Sequence, residues 1–80
     1  MRGNSIMAGS VVTTADYRGF WVEVRAVGSS AGSTVYDGIV YRDSSHTGGR
    51  VVVIYGLQSA TSAACEAMYL VDHLCERGAA

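Results

Sequence analysis

Residues 50–56 read Arg-Val-Val-Val-Ile-Tyr-Gly, and this run restricts the fold more than any other stretch of the chain. As a strand it places Val51, Val53 and Tyr55 on one face and Val52 and Ile54 on the other, so both faces are apolar. Such a strand needs cover on two sides. The chain has 80 residues and only one helix-like segment. One layer of cover is therefore intrinsic, and the other has to come from a fold-back or a partner.

Two strand patterns precede this run. In Arg18–Val27, Phe20, Val22, Val24 and Ala26 alternate with Trp21, Glu23, Arg25 and Val27. In Thr34–Arg42, Tyr36, Gly38 and Val40 form one face and Val35, Asp37, Ile39 and Tyr41 the other. Polar, glycine-containing turns fall at 28–33 and 43–49. Asp37-Gly38 is also a two-residue hairpin signal. A continuous strand is preferred, because the 28–33 loop already turns the chain and four-residue strands pair weakly. Gly38 would then let a helix approach the sheet closely.

That helix is expected over Ser59–Arg77, with Ser59 or Ser62 as the N-terminal cap and Gly78 as the stop. Ala60, Ala63, Ala64, Ala67, Leu70, Val71 and Leu74 fall on one stripe, small at its start and bulky at its end. The expected fold is α+β: a three-stranded antiparallel β-meander with one C-terminal helix on one face (β-β-β-α), spanning residues 17–78. Residues 1–16 are read as a flexible segment, with Val11–Thr14 a candidate for an extra short N-terminal strand.

Composition removes several functions. A 49% hydrophobic, 16% charged chain is too apolar to be disordered. It has no run of about 18 apolar residues, so no membrane span is expected. A net charge of −1 argues against a generic polyanion binder. Cys65 and Cys75 stand about 15 Å apart along one helix, beyond the roughly 7 Å reach of a disulfide. Two unpaired thiols fit a reducing, cytoplasmic compartment.

His46, Cys65, His73 and Cys75 are the soft metal ligands available, and their spacing lets the helix offer one at most. No metal or cofactor is expected. The chain has no Gly-x-Ser-x-Gly elbow, and a sheet with one helix has little room for a catalytic cleft. A non-catalytic protein is expected. His46-Thr47-Gly48-Gly49-Arg50 has the composition of a phosphate cradle but leads into a strand, so it reads as a flexible hairpin turn.

The second apolar face remains. With Phe20, Val22 and Val24 toward the helix, Trp21 and Val27 face away; with Tyr36, Gly38 and Val40 toward it, Val35, Ile39 and Tyr41 face away. The sequence thus predicts an interaction face containing Trp21, Val35, Ile39 and Tyr41. Its partner would be another small protein, most simply an identical subunit in a two-fold homo-oligomer. Cys65 and Tyr69 mark a weaker second surface on the outer side of the helix. The competing reading is a nucleic-acid-binding regulator, from Arg18, Arg25, Arg42 and Arg50 on the sheet half with Trp21, Tyr41 and Tyr55 as stacking groups. Glu23, Asp37 and Asp43 nearly cancel that charge.

Tyr17-Arg18-Gly19 opening a strand, Tyr36 and Gly38 on one face of the next, and an alanine-rich helix ending Leu74-Cys75-Glu76-Arg77-Gly78 together carry a resemblance. Over about residues 17–78 the chain resembles short, uncharacterised bacterial β-β-β-α domains. In element order it is similar to HicB-type antitoxin domains. The latter resemblance implies a role in binding a small toxin protein.

Overall fold

Each strand turns back on the one before it. A computed structural model describes residues 10–28 and 32–78. In it β1 (Ser10–Tyr17), β2 (Phe20–Gly28), β3 (Thr34–Tyr41) and β4 (Arg50–Leu57) are followed by α1 (Ala60–Glu76). The strands form one antiparallel sheet in chain order. The α+β class and the C-terminal helix agree with the sequence reading; the strand count is four.

The candidate N-terminal strand at Val11–Thr14 is present and longer than expected. Residues 10–16, otherwise read as a flexible segment, belong to an eight-residue strand paired with β2 from Ser10↔Ala26 to Tyr17↔Phe20. Residues 1–9 lie outside the described residues. Arg18 and Gly19 are the turn between β1 and β2, so β2 starts at Phe20 rather than Arg18. Both turn residues have positive φ, 53° and 88°, as a two-residue turn matched to strand twist requires. Arg18 tolerates this conformation because its side chain is held, donating to Asp72 Oδ1 at 2.8 Å.

β3 runs unbroken through Asp37-Gly38. The Asp37 carboxylate accepts the Gly56 N–H at 3.0 Å where the β3–β4 register shifts. Asp37 thus serves a bulge rather than a hairpin, and it satisfies a donor that the irregular ladder would leave open.

The helix forms where its stripe and caps coincide. Ser59 is extended and its hydroxyl accepts the Ser62 N–H at 3.0 Å. At the other end Gly78, with φ of 77°, donates to Cys75 O at 3.0 Å and closes the last turn. Ala63, Ala67 and Val71 are buried against Phe20, Val22, Val24 and Val40. A Cβ on Gly38 would lie 2.8 Å from the Ala63 carbonyl oxygen and 3.4 Å from Ala67 Cβ, so the expected close approach is present. The C-terminal half of the helix is held separately. Tyr17 Oη donates to Asp72 Oδ1 at 3.0 Å beside the Arg18 contact, fastening the β1–β2 turn to α1.

Candidate functional site

Pairing fixes which side chains share the face opposite the helix. Cross-strand partners point the same way, so Asp16, Trp21, Tyr41 and Arg50 form one row. Thr14, Glu23, Ile39 and Val53 form the next, followed by Val11, Arg25 and Asp37, with Val27 and Val35 at the far end.

The middle of the first two rows is closed by the chain itself, while Asp16, Thr14 and Arg50 at their ends are exposed. Ile39 is 3% exposed and Tyr41 5%. The His46 ring lies flat on Tyr41, centroids 3.7 Å apart and planes within 9°. Its Nε2 is 2.5 Å from Glu23 Oε2. This corrects the interaction face predicted from sequence: Ile39 and Tyr41 are covered within one chain and do not reach a partner. Trp21 and Val35 are half-buried on this face.

Glu23 is the centre of the closure, a charged residue only 5% exposed. Trp21 Nε1 donates to Oε2 at 3.0 Å and Arg25 Nη2 to Oε1 at 3.0 Å. An ionised carboxylate only accepts, so His46 Nε2 carries the hydrogen in its contact. Burial alone would push the Glu23 carboxyl upward. Hydrogen bonds from Trp21, His46 and Arg25 outweigh that and hold it below the usual range.

His46 reaches this position because its turn is organised from within. Asp43 Oδ1 accepts from the Ser45 N–H at 3.0 Å and from its hydroxyl, and the Thr47 N–H donates to Ser45 Oγ at 3.2 Å. Backbone bonds His46 N–H to Asp43 O and Gly49 N–H to His46 O complete two tight turns. His46 itself is left-handed at φ 63°, and Gly48 and Gly49 follow at 85° and 78°. The expected flexible turn is a hydrogen-bonded clasp over the sheet.

Beyond the clasp the face is open. A depression of about 150 Å³ lies among Arg25, Asp37, Ile39, Arg50, Val53 and Tyr55. That is below the roughly 300–1,000 Å³ of a small-molecule pocket. Tyr55 beside it is 68% exposed and Val11 46%. Among the described residues no three His, Cys, Asp or Glu side chains group to hold a metal ion. No described helix is long and apolar enough to cross a membrane.

On the outer side of α1, Cys65 is exposed and unpaired, and Tyr69 is 58% exposed, its ring edge-on to His73 at 4.5 Å. Both lie on the side predicted for them. Cys75 is half-buried and packs against the core.

The carboxylates set an acid limb. Asp72 is also held below its ordinary range, first by its hydrogen bond from Arg18 and then by that from Tyr17. For both Glu23 and Asp72 the folded pKa is depressed. Their contribution is complete above the unfolded values near pH 4 and is lost as pH falls through the lower folded values. The thermal midpoint should be level from pH 7 to about 5 and drop steeply below about 4. A midpoint level down to pH 3 would contradict this.

Comparison with protein-family models, with curated proteins and with solved structures finds no match for this chain.

Proposed function

We propose that the protein is a non-catalytic interaction module that self-associates through the open part of the sheet face opposite α1. The observation that carries this reading is the mixed patch of half-buried Val27, Val35 and Val53 with exposed Val11 and Tyr55, set around Arg25, Asp37 and Arg50 beyond the part of the face that the His46 turn closes. Tyrosine and arginine beside aliphatic groups are the residue types that dominate protein contacts.

An identical copy fits the patch. Arg50 has no ion-pair partner among the described residues, and Asp37 engages only Gly56 there. A two-fold contact sets the Arg50 of each copy against the Asp37 of the other. Four strands at about 4.8 Å spacing and eight residues at about 3.4 Å rise give a whole face of roughly 500 Å², of which the open part is about half. Two such patches bury on the order of 500 Å², below the range of stable specific contacts, which implies weak, concentration-dependent association. A reducing compartment suits the two free thiols.

Nucleic-acid binding has less support. Arg18 and Arg25 are engaged by Asp72 and Glu23, and Arg42 lies over the Phe20 ring at 5.5 Å from its centroid.

Light scattering across a concentration series tests the proposal. Tyr55→Glu, at an exposed site, should weaken association by about 30-fold or more while leaving the circular dichroism spectrum unchanged. Trp21 is a poorer target because its indole N–H holds Glu23. A wild-type chain that stays at 8.4 kDa at high micromolar concentration would overturn the reading.

A further inference from the structure

We propose that the turn 43–49 is an autoinhibitory flap on the association face, and that a second copy of this chain competes with the His46 ring for the Tyr41 surface beneath it. The inference rests on the self-association proposed above and adds how that association is held back.

The flap covers surface suited to a contact. Its His46 ring lies flat on Tyr41, centroids 3.7 Å apart, and Tyr41 is 5% exposed. Tyr41 pairs with Trp21 on one side and with Arg50 on the other, and Arg50 also lines the depression in the open patch. The covered surface is therefore continuous with that patch. Tyrosine, tryptophan and arginine are the residues on which binding energy concentrates. The two open patches alone bury less than a stable dimer needs. Uncovering Tyr41 in both copies extends the contact where it is short.

The turn is fastened at one point. From Asp43 to Gly49 only His46 is half-buried, and every other residue is exposed. The His46 ring, on Tyr41 and against Glu23, is thus the turn's side-chain anchor on the sheet. Asp43, Ser45 and Thr47 bond to one another, so the turn keeps internal order when the anchor lets go. Gly48 and Gly49 join it to β4, both with positive φ. A Cβ on either would meet nothing within 4 Å, so the backbone angles of the closed turn, and not packing, call for glycine there. His46 is left-handed as well, which a side chain of its size holds only at a cost. A single strained anchor beside two glycines makes a releasable contact.

Replacing both glycines by alanine tests the flap without touching the Glu23 cluster. The new methyl groups clash with nothing, yet they disfavour the positive φ of the closed turn. An inhibitory contact weakens apparent affinity by the fraction of copies that are open. Light scattering should therefore show Gly48→Ala/Gly49→Ala, and separately His46→Ala, associating at least about 10-fold more tightly than wild type, with unchanged circular dichroism. If His46→Ala disturbs the fold through Glu23, the glycine variant decides. Adding Tyr55→Glu should abolish the gain; a gain that survives it would place the contact elsewhere and overturn the proposal. In the wild type, the His46 ring protons are shifted upfield by the Tyr41 ring and should lose that shift as concentration rises. Ring protons that keep it in the associated protein, or an opened variant no tighter than an associating wild type, would overturn the flap and leave the face contact standing. A monomeric wild type with associating variants would do the reverse: self-association of the native chain falls and the flap stands. Wild type and variants monomeric throughout would overturn both.

Discussion

Glu23→Ala should lower stability by about 2–4 kcal/mol, and the thermal midpoint by about 10–25 °C for a domain of this size. Three donors converge on this carboxylate, and its removal strands each of them to a different degree. The Trp21 indole N–H is half-buried, whereas the Arg25 and His46 side chains are 25% and 38% exposed and partly recover water. That partial rehydration keeps the loss below the upper range for a broken buried ion pair. Glu23→Gln separates shape from charge. It keeps the volume but turns an N–H₂ toward donors, so about 1–3 kcal/mol should still be lost. Both variants should also flatten the acid limb, because the lowered pKa that produces part of it is gone. A Glu23→Ala protein as stable as wild type at pH 7 would mean that the cluster is ornamental and that the sheet face is closed by apolar packing alone.

The same variant reports on the turn. His46 holds a left-handed conformation and is anchored at its ring by Glu23 and Tyr41. Without the carboxylate one anchor is lost, and Tyr41 should gain exposure. The polar cluster therefore decides how much of the sheet is available to a partner, and it does so from residues far apart in the chain.

That separation explains what the sequence could and could not convey. β2 and α1 were legible from periods of 2 and 3.6, β3 from an alternating β-branched and aromatic stretch between two glycine-containing turns, and β4 from its continuous apolar run. Gly38 was legible because a glycine in the middle of a strand, facing a helix that begins with alanines, has few other uses. β1 was harder to read: Ser10–Thr14 is exposed throughout, so no inside-outside alternation exists in the residues themselves. The Arg18-Gly19 turn lacks the Asn or Asp that marks such turns, because a tertiary contact to Asp72 secures it instead. The mistaken part of the site was Ile39 and Tyr41. Alternation correctly turned them away from the helix, but it carries no information on a turn folding back over them. A partial signal was present in Trp21, Glu23 and Arg25, which share a face at spacing two with a carboxylate between an N–H donor and a cation. The 23-residue step to His46 left no local trace.

Gly38→Ala should destabilise by about 1–3 kcal/mol, although alanine elsewhere in a strand is better than glycine by about 0.5–1 kcal/mol. The reason is the atom that the new methyl meets. It would lie 2.8 Å from the Ala63 carbonyl oxygen, which belongs to the helix backbone and cannot rotate aside. Relief requires the whole N-terminal half of α1 to lift, loosening Ala63 and Ala67, both fully buried, from β2 and β3. Gly38→Val should cost more than Gly38→Ala, reversing the usual strand preference. The control is Ala63→Gly in the Gly38→Ala background. It deletes a side chain but leaves the carbonyl oxygen in place, so stability should not recover. Thermal or urea unfolding of the three proteins measures this directly. Recovery in the double variant would show that side-chain volume, rather than backbone approach, sets the distance between helix and sheet.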